Sequence, residues 1–165
     1  MTSLPNKLAD MNPFFPKDEL FMRLALREAE RAAEAGDVPV GAVIVHEGEV
    51  IGLGRNEREL TGDPTAHAEM IALREASQKL GNWRLLETVI YITLEPCAMC
   101  AGAIVLSRVP RVVFATTDPK AGAAGSVFDV LAEPQLNHRP EVQSGLFAEE
   151  ASLQLREYFA ARRGR

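Results

Sequence analysis

Cysteine is nearly absent from this chain: 165 residues contain two, Cys97 and Cys100, so a closed four-cysteine metal site cannot form within it. Long hydrophobic runs are missing too. No apolar stretch approaches the ~20 residues of a bilayer span, which excludes a membrane-crossing helix. The N-terminal stretch carries Pro5, Asn6, Asp10, Asn12 and Pro13 and lacks the charged start and continuous apolar segment of a secretory signal. Residues 1–15 are therefore expected to form a flexible arm, and residues 16–165 one domain of a cytoplasmic protein, long enough to bury a substantial core. Positive charge is in deficit, with 18 Lys and Arg against 23 Asp and Glu for a net charge of −5. That deficit argues mildly against a nucleic-acid partner, because affinity for phosphates comes from Lys and Arg. Internal repeats and low-complexity tracts are lacking, and hydrophobic and charged contents of 47% and 25% are ordinary globular values that exclude wholesale disorder.

One local concentration runs against the overall charge. Residues 156–165 hold four arginines, Arg156, Arg162, Arg163 and Arg165, against the single Glu157. A basic end of this kind is ordinarily a solvated tail, yet it is available to phosphates.

The residues with the most chemistry lie in two short pieces, Thr65-Ala66-His67-Ala68-Glu69 and Glu95-Pro96-Cys97-Ala98-Met99-Cys100. One imidazole and two thiolates make three protein ligands, which suits a catalytic zinc, one per chain, with its fourth position left for water. With Pro96 in the first-turn position that proline favours, both sulfurs fall on one face near a helix N-terminus, where the amide end favours thiolate. His67 and Glu69 are too close in sequence to share a helix flank but can converge at a helix tip, entered through Pro64 and Thr65. Taken alone, the Cys-x-x-Cys pair also fits a redox couple or a structural half-site, and a lone histidine is more often structural. In combination, His-x-Glu followed by Pro-Cys-x-x-Cys is the signature of zinc-dependent nucleobase deaminases, tRNA adenosine deaminases among them, with the glutamate as general acid and base rather than ligand.

Periodicity supplies the frame. Residues 18–35 show helical spacing ended by Gly36, 38–45 are nearly all apolar as in a strand buried on both faces, and Glu47-Gly48 turns the chain into a second strand over 50–54. Residues 55–63 are expected to be loop, 66–80 helix, 88–94 strand, 97–107 a wholly apolar helix packed inside on the sheet, and 111–116 strand. Gly122 and Gly125 mark 118–126 as a loop, either a plain connector or one whose backbone lies close to something; 127–131 is expected as a helical turn, 142–144 as a last strand and 147–163 as a closing amphipathic helix. Strands alternating with helices give an α/β domain with a mixed sheet, antiparallel in its first hairpin and parallel later through helical crossovers.

Over nearly its whole length the sequence resembles the cytidine deaminase superfamily and, within it, the bacterial tRNA-specific adenosine deaminases. Beyond the two metal motifs, the similarity rests on Val38-Pro39-Val40-Gly41-Ala42-Val43, Asp63-Pro64-Thr65, Thr93-Leu94-Glu95, Arg111-Val112-Val113-Phe114, Gly122-Ala123-Ala124-Gly125-Ser126 and Asn137-His138-Arg139. The resemblance implies a three-layer α/β/α fold around a five-stranded mixed sheet, a homodimer, and conversion of adenosine to inosine at the wobble position of a tRNA anticodon stem-loop. By the same resemblance His67, Cys97 and Cys100 hold zinc, Glu69 shuttles protons, Asn56 hydrogen-bonds the target nucleotide and Asp118 meets the anticodon nucleotides. Arg162 and Arg163 match the family's basic end and Phe159 either the aromatic before it or a core anchor of the last helix, while His138 fits either a substrate contact or a structural histidine. Pro119 and Ala121 depart from the family's usual Ala and Thr. Two rivals remain at this point: a free-base or nucleotide deaminase with the same chemistry, and a small zinc-stabilised RNA-binding module, which leaves Glu69 and the open ligand position unexplained.

Overall fold

A computed structural model describes residues 12–163, so most of the expected arm at 1–15, and Arg165 of the basic end, lie outside the described residues. The chain opens with helix α1 (Pro16–Glu34), which starts where Pro16 fixes the first helical φ and where the Asp18 carboxylate accepts the Phe15 amide at 2.7 Å. Strands β1 (Gly41–His46) and β2 (Glu49–Arg55) form the expected hairpin about Glu47-Gly48, both with positive φ. The segment expected to be loop contains a single turn of helix, α2 (Arg58–Thr61). Then follow α3 (Ala68–Leu80), β3 (Thr88–Leu94), α4 (Ala98–Leu106), β4 (Arg111–Thr116), β5 (Glu141–Ser144) and α5 (Ala148–Arg163).

The five strands lie in the order β2-β1-β3-β4-β5. Strand β1 pairs antiparallel with both β2 and β3, whereas β3, β4 and β5 run parallel. Alternate residues of the central strands face opposite layers. Ile44, Ile90, Ile92, Val112 and Phe114 pack with Ala72 of α3 and Ala101 and Ile104 of α4. Val43, Val45, Tyr91 and Val113 pack with Phe21, Met22 and Ala25 of α1 and Ala151 of α5. This is the three-layer α/β/α arrangement with a mixed five-stranded sheet that the sequence implied, and both faces of the central strands β1, β3 and β4 are buried, which explains their near-continuous apolar sequences. No helix among the described residues is long and apolar enough to cross a membrane.

Two details of packing matter for the site. Gly52 and Gly54 of β2 carry α3 directly on the strand backbone: a Cβ at Gly54 would overlap the Ala68 carbonyl, and one at Gly52 the Ala72 carbonyl. On the other face, Arg111 of β4 makes a bidentate pair with Asp18 of α1 at 2.8 and 2.7 Å, and Tyr91 donates its hydroxyl to the same carboxylate at 2.6 Å, all within the core.

The structure corrects three expectations. Helix α4 is not interior all round: it buries Cys100, Ala101, Ile104 and Val105, while Ala98 is exposed and Leu106 is 69% exposed. An apolar composition on every face says nothing about which face the same chain covers. Residues 127–131 form no helical turn, because the Val127 and Phe128 amides both donate to the Gly122 carbonyl and Val130 donates to Ala123, so i→i−4 bonds do not form. The β4 to β5 connection consequently has no helix, and parallel pairing is reached through irregular chain over 117–140.

Candidate active site

Three helix and strand ends meet at the carboxyl edge of the central strands. His67 is the N-cap of α3 and Cys97 the N-cap of α4, both in extended conformation, with Glu69 and Cys100 inside the first turns. Pro96 stands one residue before the cap rather than in the first turn as expected; it directs the chain into α4 all the same, because proline disfavours helix in the residue before it. The His67 Nδ1 lies 3.6 Å from Cys97 Sγ and 3.5 Å from Cys100 Sγ. Ligands arranged tetrahedrally on one zinc, at about 2.3 Å for sulfur and about 2.0 Å for nitrogen, are themselves separated by roughly 3.5 Å, so these three donors fit that ion. All three donor atoms lie within 4.8 Å of one another.

The charges agree with the geometry. Cys97 is pushed down to about 4, chiefly by its hydrogen bond from Cys100 and further by His67, against the cost of burial. Cys100 is pushed up by that same shared proton, by burial and by the Glu69 carboxylate. His67 is raised first by its bond to Cys97, and Glu69 is raised by burial. Two sulfur donors and an imidazole gathered at two helix N-termini, competing for protons, form a set that a dication can hold in place of those protons. Glu69 lies next to these donors: it is 3% exposed, and its Oε2 is 3.3 Å from Cys100 Sγ.

Above this floor opens a cavity of about 610 Å³. His67, Glu69, Cys97 and Asn56 line its base, residues 117–121 form one wall, and Leu155, Arg156, Phe159 and Arg163 of α5 form the other. Asn56 is buried and accepts the Ala68 amide at 3.0 Å, which ties the end of β2 to the first turn of α3. The Asp118 carboxylate accepts the amides of Lys120 and Ala121 at 3.0 and 3.2 Å and so shapes the tip of the first wall. Phe159 is half exposed at the opening rather than a core anchor.

The structure separates the two arginines that the sequence grouped. Arg163 lines the cavity, whereas Arg162 is turned onto α1: it donates to the Gly36 carbonyl at 2.6 Å and stacks 4.2 Å from the Tyr158 ring centroid. His138 lies away from the cavity with its Nε2 2.7 Å from the Val109 carbonyl, a structural bond. Sequence reasoning missed Arg58 and Lys120, which join Arg156 and Arg163 as cations around the opening. The spacing of residues 152, 155, 156, 159 and 163 on one face of α5 carried the signal for that wall.

Fold and site together define a zinc-dependent nucleobase deaminase: three metal donors, an adjacent buried glutamate, and a cavity of about 610 Å³ over them. Residues 16–116 match the cytidine and deoxycytidylate deaminase zinc-binding region. The tRNA-specific adenosine deaminase of Bacillus subtilis is 49% identical over 143 residues, covering 87% of this chain and 89% of that protein. Among solved structures, one described in a study of A-to-I editing by tRNA:A34 deaminases at the wobble position superposes with a TM-score of 0.80 at 43% identity, covering 82% of this chain and 99% of its own. The guanine deaminase of Nitrosomonas europaea follows at a TM-score of 0.72 and 26% identity, over 97% of this chain and 96% of that one. The chain belongs to the tRNA-specific adenosine deaminases of this zinc-binding family.

Proposed function

We propose that the protein hydrolyses adenosine to inosine at the wobble position of a tRNA anticodon loop, releasing ammonia. The observation that carries this reading is the cavity itself: a deaminase floor whose opening is ringed by Arg58, Lys120, Arg156 and Arg163 in a protein of net charge −5. A free base has no phosphate for those cations to meet, whereas a nucleotide extruded from an RNA loop carries one on each side. A single-stranded loop also costs least to unstack.

His67, Cys97 and Cys100 would hold the zinc, which would supply the Lewis acidity that makes water nucleophilic near neutral pH. Water adds to C6 of adenine, and Glu69 takes a proton from it. Glu69 delivers that proton to N1 and then assists proton transfer to the departing amine, so that adenosine and water become inosine and ammonia. With its Oδ1 occupied by the Ala68 amide, Asn56 offers its side-chain NH2 group to the nucleotide. Asp118, at the tip of the loop wall, orders the strand entering the site. The same reading places the enzyme in the cytoplasm as a twofold dimer, in which the exposed apolar face of α4 around Leu106 finds its cover.

Ammonia release from an anticodon stem-loop with adenosine at the wobble position, compared with free guanine, adenine and adenosine, tests the proposal. Turnover confined to the stem-loop is the expected result. Equal turnover of free guanine would overturn it in favour of a free-base deaminase.

A further inference from the structure

Glu95 is the carboxylate that the reaction leaves unused. It ends the segment from β3 to Cys97, is 2% exposed, and spends both oxygens on the loop that walls the cavity. Oε1 accepts the Asp118 amide at 3.1 Å and the Ser126 hydroxyl in a short bond; Oε2 accepts the amides of Ala124 at 3.0 Å and Ser126 at 3.1 Å. Four donors from one loop thus converge on one buried side chain. The backbone beside it strengthens the attachment, since the Ala123 amide donates to the Pro96 carbonyl at 2.8 Å and the Glu95 amide to the Thr116 carbonyl at 2.8 Å. Gly122 passes so close that a Cβ there would overlap the Glu95 carboxylate and lie 2.6 Å from the Asp118 carbonyl. The loop over 118–126 is therefore wrapped on Glu95, and the residues it presents to the cavity, Asp118 to Ala121, hang from that attachment.

Only Pro96 separates Glu95 from Cys97. We propose that Glu95 is a positioning residue for substrate, a post on which the 118–126 wall is hung in fixed register with the metal ligand two residues on. Glu95 also lines the cavity, but its two oxygens are taken up by donors from the loop, so the side chain serves the wall rather than the metal donors. It sets how far the wall stands from the zinc floor, and so how tightly an RNA loop is gripped.

The inference rests on the RNA-deaminase reading for its kinetic test and on geometry alone for its structural one. Glu95→Gln keeps the size of the side chain but turns an NH2 toward amide donors. The expected result is unchanged zinc content, faster deuterium uptake across 118–126, and a rise in KM for the stem-loop of about 10-fold with kcat little changed, the pattern left when binding common to ground and transition states is lost. Gly122→Ala, which drives a methyl group into the carboxylate, should reproduce the phenotype. Ser126→Ala deletes one donor and leaves Glu95 intact; it gives a smaller shift in the same direction and decides the matter where Glu95→Gln does not fold. Unchanged deuterium uptake, or zinc and kcat falling together with KM unaltered, would overturn the proposal. A wild-type enzyme inactive on the stem-loop would instead sink the RNA reading and leave the deuterium experiment to judge Glu95.

Discussion

Arg162 and Arg163 are neighbours in sequence and should behave as different residues. Lys120, Arg156 and Arg163 line the cavity, and among the described residues no carboxylate lies within ion-pairing distance of them, whereas Arg58 is already 3.6 Å from Asp37. Three unpaired cations on a single strand give a log–log salt slope of about 3 × 0.7, or roughly 2. Raising salt from about 50 to about 200 mM should then weaken binding about 20-fold in the wild type, and about sevenfold once one contact is lost. Arg163→Ala is expected to show that smaller loss. Arg162→Ala should keep the wild-type slope and instead lose its bond to Gly36 and its stacking on Tyr158, together about 1 kcal/mol, lowering Tm by about 2–4 °C. Fluorescence anisotropy of a labelled stem-loop across the salt range, paired with thermal melting, reads both effects. If Arg162→Ala flattens the slope as much as Arg163→Ala does, the division drawn from the geometry is wrong.

Glu69→Gln should retain one zinc per chain by elemental analysis while turnover falls by about 10²- to 10⁴-fold, the usual worth of a positioned general acid–base group; near-normal turnover would remove it from proton transfer. Cys97→Ser should lose zinc and activity together, measured on the same preparation, and full retention of both would refute the three-ligand site. Asp18→Asn breaks the pair with Arg111 inside the core and should cost about 3 kcal/mol near neutral pH in a urea titration. Burial would raise the Asp18 pKa, but bonds from Arg111, Tyr91 and the Phe15 amide outweigh it and hold it below the ordinary 3.8. Its contribution is therefore present above that pH and fades as pH falls through the lowered value, so the gap between wild type and Asp18→Asn should narrow below about pH 4. A gap that widens in acid would contradict the assignment.

The strands and the metal ligands were legible because each depends on information close in sequence. The run at 88–94 and that at 111–116 coincide with β3 and β4, since both are rich in β-branched and aromatic residues. The three donors needed only their identities and their spacing. What escaped depended on distant partners. Helices expected to begin at 66 and 97 begin at 68 and 98, because His67 and Cys97 keep extended backbones as caps. The 127–131 segment reads as helical by itself but surrenders its amides to Gly122 and Ala123, which a carboxylate some thirty residues earlier holds in place. Arg162 and Arg163 could have been told apart: adjacent helical residues point about 100° apart, and the stripe through Ser152, Arg156 and Phe159 selects Arg163 for the cavity.

Gly52 and Gly54 act as a gauge for the chemistry. Because α3 rests on bare backbone at both, the thickness of two peptide planes fixes how deep the first turn carrying Glu69 sits relative to the ligands on α4. A methyl group at either glycine would lift that helix as a rigid rod and carry the proton-transfer group away from the metal donors. In any redesign of this enzyme toward another base, the sheet's edge strand is thus part of the active-site dimension, although neither glycine lines the cavity.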